Sequence, residues 1–395
     1  MAASEPSPTA TEQPAATPTE AAPAAPTATL EPPAEPTATS TPEPSATPTV
    51  EPTATHTPAP EPTATPTAVP LPSGGADAQV EGKAILGIVA GDDEGAVLYA
   101  LTSAGISRSN DGGRTWVASG SVQPGTMVAS LNDPNVLYAG ENGGCAVGPS
   151  GVVLRRSVDG GITWQNFAAG DNIRPLLVHA GQASTVIGTS CVLEISFNGG
   201  QSFTQVLEPD ALNHDVYDAV SRNPDALDDE ILVLGVTEGG SGALFKYHLQ
   251  PNAAPSLIGM VIDFYSLAGV AWDGNRIVLA TSSGVGVSDD NGTTWSWSRD
   301  GLEDATYSVN PNIATIPPAE QDKSFFFRQA RIDPNDANRI WIGGSHGAYW
   351  SVDGGQTWTQ AGNDSRVDTL VISTDAQRVY VSSNGGTRIW GIDGT

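Results

Sequence analysis

Five nearly identical eight-residue segments decide how this chain folds. The first is Ser109-Asn-Asp-Gly-Gly-Arg-Thr-Trp116. Close copies begin at Ser157, Ser288 and Ser351, and a milder copy begins at Ser196. All five follow the pattern S-x-D-x-G-x-T-W, with Asn for Asp and Ser-Phe for Thr-Trp in the milder copy. The same local structure is therefore expected five times.

Each recurring position of this segment has a physical task. The Asp carboxylate accepts hydrogen bonds from N–H groups of its own turn, and Gly takes the positive φ of a tight hairpin without steric cost. Thr suits the returning strand, and Trp offers a large apolar face for packing. We predict a structural role for the acidic or amide residue and the aromatic residue of each copy: Asp111, Trp116, Asp159, Trp164, Asn198, Phe203, Asp290, Trp295, Asp353 and Trp358.

The segment resembles the Asp-box, or BNR repeat, of the WD40/YVTN/BNR-like superfamily. In that superfamily the box is a hairpin turn between the two outer strands of a β-propeller blade. The resemblance implies an all-β propeller in which each box marks a blade. Enzymes and binding proteins share the box, so it predicts the fold and leaves the function open.

The spacing of the boxes predicts the number of blades. Successive boxes begin 48, 39, 92 and 63 residues apart, and the gap of 92 indicates a blade without a box. Residues 216–248 supply the strands of that blade, and residues 367–390 supply a seventh. The chain ends at Gly391-Ile-Asp-Gly-Thr395, which resembles a box cut off in mid-turn. We therefore predict a seven-bladed ring, closed by an N-terminal strand at about Ala78–Ala84.

Residues 1–74 differ in composition from the rest of the chain. They contain 19 of the 31 Pro and eight Glu, but no Lys, Arg or aromatic residue. Such a segment cannot bury enough apolar surface to offset its ordering entropy, so we predict a disordered, low-complexity tail of polyproline II character. Thr interleaved with Pro fits an O-glycosylated stalk, and a plain flexible linker is the other interpretation. The predicted domains are the tail, 1–74, and the propeller, 75–395.

Charge and hydropathy restrict the partners and the location. The net charge is −27, and eight of the 44 acidic residues lie in the tail. This acidic character disfavours nucleic acid and anionic membranes, which are bound by clustered Lys and Arg. The sequence contains no run of 18 apolar residues, which is the length that would predict a membrane-spanning helix. A Pro/Thr stalk before a β domain is typical of secreted, cell-surface proteins, whereas the N-terminus lacks signal-peptide features, so we expect the export signal to be missing from this chain.

The two cysteines, Cys145 and Cys191, follow the second strands of adjacent predicted blades. Both are expected at the same end of their blades, so a disulfide between them is sterically feasible. A bridge agrees with an oxidising, extracellular location. Two separate thiols are the alternative.

Residues 75–395 as a whole resemble single-domain, seven-bladed Asp-box propellers, among them the photosystem II assembly-factor type. The phrase Asp133-Pro-Asn followed by Tyr138-Ala-Gly140 is typical of them, and it returns as Asp333-Pro-Asn followed by Trp341-Ile-Gly343. Sialidases share the box, which makes a sialidase-like glycoside hydrolase the enzyme alternative. Their first substrate-binding Arg precedes the first box, whereas residues 75–107 contain no Arg. We therefore predict no catalytic residue.

Candidate ligand-binding residues lie where inner strands begin, because those loops converge on the mouth of the central channel. Arg174 and Arg328 fall at the same phase of the inner strands of blades three and six, and Arg366 lies slightly earlier in blade seven. Guanidinium groups placed in this way predict binding of a carboxylate or an acidic side chain. Pairing with nearby acids, such as Asp171 or Asp364, is the alternative.

Two other segments add candidates at the same end. His214, Asp215 and Tyr217, in a segment that runs to Asp218, open blade four and offer polar ligand contacts, with structural solvation as the alternative. The insertion 299–324 contains Tyr307 and is long enough to serve as a lid or a partner-docking arm. We find no metal-ligand spacing, phosphate loop or catalytic triad, so we predict neither a metal nor a cofactor.

These features predict a non-enzymatic extracellular scaffold that recognises a protein or glycan at the cell surface through its top-face loops. A sialidase-like hydrolase is the first alternative. A cell-surface assembly or filament subunit, which would self-associate, is the second. The oligomeric state is left open.

Overall fold

The structure is a computed structural model that describes residues 76–392, apart from 93, 122–124, 141–153, 168–172, 180, 191, 207–213, 222–229, 237–241, 251–252, 265–268, 283, 303–326, 362–365, 376 and 384–385. Every regular element within this part of the chain is a β-strand. None of its residues forms a helix long and apolar enough to cross a membrane. The predicted tail, 1–74, and the predicted cysteine bridge lie outside the described residues.

Seven antiparallel sheets follow one another along the chain, and each is a blade whose strands run from the inside of the ring to the outside. The inner strands are β3 (Lys83–Ala90), β7 (Thr126–Ala129), β11 (Arg174–Val178), β15 (His214–Ser221), β19 (Gly269–Asp273), β23 (Phe327–Asp333) and β27 (Thr369–Ser373). The second strands are β4 (Leu98–Thr102), β8 (Leu137–Gly140), β12 (Val186–Thr189), β16 (Glu230–Val236), β20 (Arg276–Thr281), β24 (Asp336–Gly344) and β28 (Arg378–Ser383).

The third strands are β5 (Gly105–Ser109), β9 (Leu154–Ser157), β13 (Leu193–Ser196), β17 (Gly242–Gln250), β21 (Gly284–Ser288), β25 (Gly347–Ser351) and β29 (Gly386–Gly391). The outer strands of blades one to six are β6 (Val117–Gly120), β10 (Gln165–Phe167), β14 (Thr204–Gln205), β18 (Ala253–Phe264), β22 (Ser296–Ser298) and β26 (Thr359–Ala361). The predicted all-β, seven-bladed architecture is thus confirmed, including the blade without a box, whose strands are β15–β18.

An N-terminal strand closes the ring, as predicted, but not the predicted segment. Strand β1 (Ala76–Asp77) pairs antiparallel with β29 and becomes the outer strand of blade seven. The predicted segment, Ala78–Ala84, instead forms a hairpin, in which β2 (Gln79–Val80) pairs with the first residues of β3. Glu81 and Gly82 adopt φ values of 50° and 75° and reverse the chain between these strands. This turn moves the closing strand towards the N-terminus.

All five predicted boxes adopt one hydrogen-bond pattern. The box Ser is the last residue of a third strand, and the outer strand begins directly after the aromatic residue. In the first box the Ser109 hydroxyl donates to Asp111 Oδ1 at 2.7 Å and accepts from the Gly113 N–H at 2.8 Å. The Thr115 N–H and hydroxyl donate to the Asp111 carboxylate at 2.8 and 2.6 Å. The turn is therefore held by its own side chains.

The milder copy keeps the pattern with one reversal. The Ser202 N–H donates to Asn198 Oδ1 at 3.0 Å, as in the other boxes. The Asn198 amide then donates to the Ser202 hydroxyl at 2.9 Å, whereas Thr donates to Asp elsewhere. An amide therefore meets the same geometric demand as a carboxylate.

The box aromatic residues fill the seams between blades. Trp164 packs on Tyr99 and Leu137 between blades one and two, and Trp358 packs on Val285 and Ile340 between blades five and six. The other three box aromatics occupy the equivalent seams: Trp116, Phe203 and Trp295. In each case the residue contacts the preceding blade. The boxes thus join neighbouring blades as well as shaping their own turns.

A second set of aromatic residues, in the second strands of several blades, ties those blades to the next one. The Tyr138 hydroxyl of β8 donates to the Ala183 carbonyl at 2.8 Å, and the Tyr380 hydroxyl of β28 donates to the Gly112 carbonyl at 2.7 Å. The Trp341 indole donates to the Ile392 carbonyl at 3.2 Å. Burial raises the pKa of Tyr138 to about 12, so its hydroxyl remains a donor further into the alkaline range than a free Tyr does. These bonds account for Tyr and Trp in the phrase that follows Asp-Pro-Asn.

Candidate functional site

The seven inner strands surround a central channel with two connected cavities. The mouth cavity, of about 650 Å³, lies where the inner strands begin, and Leu86, Thr126 and Arg174 line it. The inner cavity, of about 390 Å³, extends to the opposite ends of these strands and is lined mainly by aliphatic side chains. Asp218, Gln329 and Thr369 line both cavities. We call these three residues the waist.

The structure brings three predicted residues together at the mouth. Arg174 is the first residue of β11, Arg328 is the second residue of β23, and Arg366 precedes β27. All three line the mouth cavity, although they come from blades three, six and seven. Their predicted role in ligand binding stays a prediction, but their predicted location at one mouth agrees with the geometry.

Acidic and backbone groups hold two of these arginines. Arg366 Nε lies 2.8 Å from Asp368 Oδ1, and both side chains are partly exposed. Arg174 donates to the Val216 carbonyl at 3.3 Å. The acids proposed as alternative partners, Asp171 and Asp364, lie outside the described residues. The ion pair with Asp368 orients Arg366 while its remaining N–H donors stay available for other acceptors.

Two guanidinium groups, those of Arg331 and Arg174, act electrostatically on the carboxylate of the waist. Burial raises the pKa of Asp218, while the positive charges of Arg331 and Arg174 oppose this shift. Burial likewise lowers the pKa of Arg331 and of Arg174, and the Asp218 charge opposes it. The Asp218 carboxylate accepts the Ala219 N–H at 2.9 Å. These charged side chains are half-buried in the channel wall, where reduced contact with water strengthens their interactions with a ligand relative to the outer surface.

Other predicted residues cannot be placed as contacts. The backbone of His214, Asp215 and Tyr217 lies in β15, at the same end of the ring as Arg174, while their side chains fall outside the described part of the chain. Tyr307 and residues 303–326 of the insertion also lie outside it. Their predicted contacts with a ligand or partner stay predictions.

Sequence reasoning named Asp218 only within the segment that opens blade four, and it missed Gln329, Thr369 and Arg331. An inner strand is covered by neighbours, so a charged residue inside it is an informative anomaly, and Asp218 and Arg331 both show that signal. The register shift between Phe327 and Gln329 in β23 was not visible in the sequence. Because a bulge alters which residues share a face, Arg328 and Arg331 both reach the channel despite their odd spacing.

The described residues contain no cluster of three or more His, Cys, Asp or Glu side chains that suits a metal ion. The chemistry that this site offers is recognition of anionic and hydrogen-bonding groups by guanidinium, carboxyl, amide and hydroxyl groups.

Comparison with known proteins identifies the fold. No protein-family model and no curated protein sequence matches the chain. The GH74 xyloglucanase from Xanthomonas campestris matches with a TM-score of 0.53 and 14% identity, over 80% of this chain and 53% of that one. YCF48 from Cyanidioschyzon merolae matches with a TM-score of 0.47 and 14% identity, over 80% of this chain and 98% of that one. YCF48 bound to D1 peptide matches with a TM-score of 0.44 and 13% identity, over 78% and 92%.

This chain thus spans about half the length of the xyloglucanase, with a match over 53% of that chain. At this level of identity the similarity concerns the backbone fold and not the site. The described residues form a seven-bladed β-propeller, a fold similar to that of the xyloglucanase.

Proposed function

We propose that this chain is a non-enzymatic, extracellular binding propeller that recognises a carboxylate-bearing protein or glycan partner at the mouth of its channel. The observation that carries the proposal is the presence of Arg174, Arg328 and Arg366 around one mouth cavity. Guanidinium groups bind carboxylates through paired, charge-assisted hydrogen bonds.

The charge of the mouth contrasts with that of the chain. The chain has 44 acidic and 17 basic residues, yet the lining of the mouth cavity contains three Arg against Asp218 and Asp368. A cationic concavity on an acidic particle attracts anionic groups locally while repelling them elsewhere. This difference favours an acidic group presented at the mouth over general adhesion of acidic molecules.

The rigidity of the ring supports a binding role. Each arginine is placed by a different blade, and the blades are locked by seam packing and by inter-blade hydrogen bonds such as that from Tyr380 to Gly112. A preorganised site loses little conformational entropy on binding. The predicted Pro/Thr tail would give the ring reach from a cell surface.

Binding arrays of the full chain test this function. Glycan and acidic-peptide arrays are probed with the wild type, Arg328→Gln and Arg366→Gln, and Arg114→Gln serves as the control because Arg114 pairs with Asp375 on the outer surface. Loss of a charge-assisted bond is worth about 1.5–3 kcal/mol, so we expect at least about tenfold weaker binding in the two mouth variants. Binding that survives in both variants would exclude the mouth as the recognition site.

A glycoside hydrolase is the second candidate, because two carboxyl groups line the same cavity. Asp218 has a pKa raised by burial, as a general acid requires, and Asp368 is a second carboxylate at the mouth. Sugar release is assayed from the same glycans with the wild type and Asp218→Asn. Release that disappears in Asp218→Asn supports the hydrolase, and binding without release supports the scaffold.

A further inference from the structure

Three inner strands of the ring carry one extra residue each, at the end where the mouth lies. In β3 the residues Ile85 and Gly87 pair with consecutive residues of β4, so Leu86 between them has no partner in the register. The same irregularity leaves Leu176 extra in β11 and Arg328 extra in β23. All three extra residues line the mouth cavity. Bulges re-aim side chains and are common next to functional sites, so this repeated placement favours a ligand-binding role for the mouth.

The spacing of buried residues shows what each bulge does. Ile85 and Ile88 are both buried in the seam between blades seven and one, although residues three apart face opposite sides of a regular strand. Phe327 and Ala330 repeat this spacing in the seam between blades five and six. The extra residue absorbs the difference, so the seam keeps its core while one more side chain turns towards the channel.

The mouth therefore presents aliphatic side chains beside its guanidinium groups. Leu86 is 57% exposed, although it lines a cavity. Arg328, Arg366 and Leu86 come from blades six, seven and one, which are consecutive in the closed ring. Leu176, which is partly buried, adds a second aliphatic side chain in the same strand as Arg174. An exposed aliphatic side chain gains free energy when a partner covers it with apolar surface.

We propose that the mouth binds a protein segment in which an aliphatic residue lies next to an acidic residue. The acidic side chain bonds to the mouth arginines, and the aliphatic side chain packs on Leu86. This inference rests on the proposed function, because the same three arginines bind the carboxylate, and it narrows the partner to a protein. A glycan would cover Leu86 with hydroxyl groups, which lose hydrogen bonds to water there. A peptide offers a carboxylate and an apolar group on neighbouring side chains.

Selection from a random peptide library on the immobilised full chain tests the inference. We expect sequences enriched in acidic residues with an aliphatic residue directly beside them. Selection on Leu86→Ser should keep the acidic residues and lose the aliphatic ones, whereas selection on Arg366→Gln should lose the acidic residues. Val352→Ser is the matched control, since Val352 is 55% exposed in the box of blade six, at the end of the blade away from the mouth. This control should select the same sequences as the wild type.

Calorimetry with the best selected peptide measures the size of the effect. Replacing the aliphatic residue of the peptide with Ser should weaken binding to the wild type about tenfold. The same replacement should hardly change binding to Leu86→Ser, because the two apolar groups act as a pair. Leu86 is exposed, so the variant should keep the thermal stability of the wild type, which circular dichroism during heating checks.

Two results would overturn the inference and leave the proposed function intact. One is enrichment of acidic residues alone, or enrichment of aliphatic residues that persists in Leu86→Ser. The other is the absence of any selected peptide, together with binding of acidic glycans that is lost in Arg328→Gln and Arg366→Gln. Absence of both peptide and glycan binding would contradict the proposed function as well.

Discussion

Blades that carry a box and blades that lack one fill their seams with different residues. In the boxed blades the turn aromatic, such as Trp164, packs against the preceding blade. Blade four has no box, and Phe245 and Tyr247 of its third strand fill the seam with blade three. Blade seven fills its seam with Trp390 of β29. These seams therefore each contain an aromatic residue, which either the turn or the strand supplies.

The two kinds of blade also differ in how their outer strands are held. Outer strands of boxed blades have two to four residues, and side-chain hydrogen bonds anchor their turns. The outer strand of blade four, β18, has 12 residues and pairs along the length of β17. Local side-chain bonds and long backbone pairing are thus two solutions to the same task, and they should respond differently to mutation and to acid.

Phe245→Ala should cause the largest loss of stability. Phe245 is 2% exposed within the seam between blades three and four, and removing such a ring costs about 3–5 kcal/mol. Trp164→Ala should cost less, because Trp164 is only partly buried. Urea unfolding compares the two. An equal loss would mean that the box aromatics matter as much as the strand aromatics.

Asp111→Ala should cost about 1–2 kcal/mol, because it removes the acceptor of three hydrogen bonds in a partly exposed turn. Asp111→Asn is the matched control, since Asn198 fills this position in the milder box. We expect it to retain most of the stability. An Asn variant as unstable as the Ala variant would contradict the equivalence of the two side chains.

Acidic pH should reduce the stability that the box carboxylates contribute, and it should stabilise blade four, which contains Asp218. The hydrogen bond from the Thr163 hydroxyl, with other turn bonds, lowers the pKa of Asp159 to about 2, below the unfolded value of about 3.9. Its contribution is complete above the unfolded pKa and is lost as the pH falls towards 2. The pKa of Asp218 is raised by burial, so its protonation in acid has the opposite sign and favours the folded state.

Protonation of a box carboxylate should cost less stability than Asp111→Ala does, because a protonated carboxyl still accepts hydrogen bonds. Urea midpoints between pH 7 and pH 2 measure it, because the gain from Asp218 comes above the unfolded pKa of about 3.9 and the loss from Asp159 comes below it. Asp218→Asn lacks the compensating gain, so its midpoint should fall more steeply than that of the wild type. Parallel curves would show that Asp218 contributes nothing to the pH dependence.

Tyr138→Phe should have the smallest effect, about 1 kcal/mol, because it removes a single inter-blade bond to the Ala183 carbonyl. Ile187 occupies the equivalent position in blade three and has no hydroxyl, so that blade is built without this bond. Thermal unfolding of the variant measures the loss. A loss as large as that of Phe245→Ala would make these bonds, and not seam packing, the main link between blades.

The fold was predictable because its signals are local. Each box forms its hydrogen bonds within eight residues, from Ser109 to Trp116 in the first copy. Five copies therefore predict five turns of the same structure. Closure by the N-terminus followed from the missing outer strand of blade seven. The exact closing residues did not, because the turn at Glu81 and Gly82 was not recognised and β2 paired with β3 instead.

The site was predictable only in part. The arginines at the start of the inner strands follow from the phase of each blade, and Arg174, Arg328 and Arg366 do line one mouth. The hydrogen-bond and ion-pair partners of these arginines could not be predicted from the phase of the blades, because they depend on the conformation of neighbours such as Asp368. The waist as a group was missed because Asp218, Gln329 and Thr369 lie in three different blades, with nothing in their local sequence to connect them.

The sequence alone therefore determined the number of blades, their strand order and the end of the ring where cationic groups gather, because strand pairing and turn chemistry act over short distances along the chain. Only the closed ring decided which side chains meet at its centre. Residues as far apart as Ile88 and Leu370 line the same cavity because seven inner strands converge there. A register shift such as that between Phe327 and Gln329 then decides which of them face the channel.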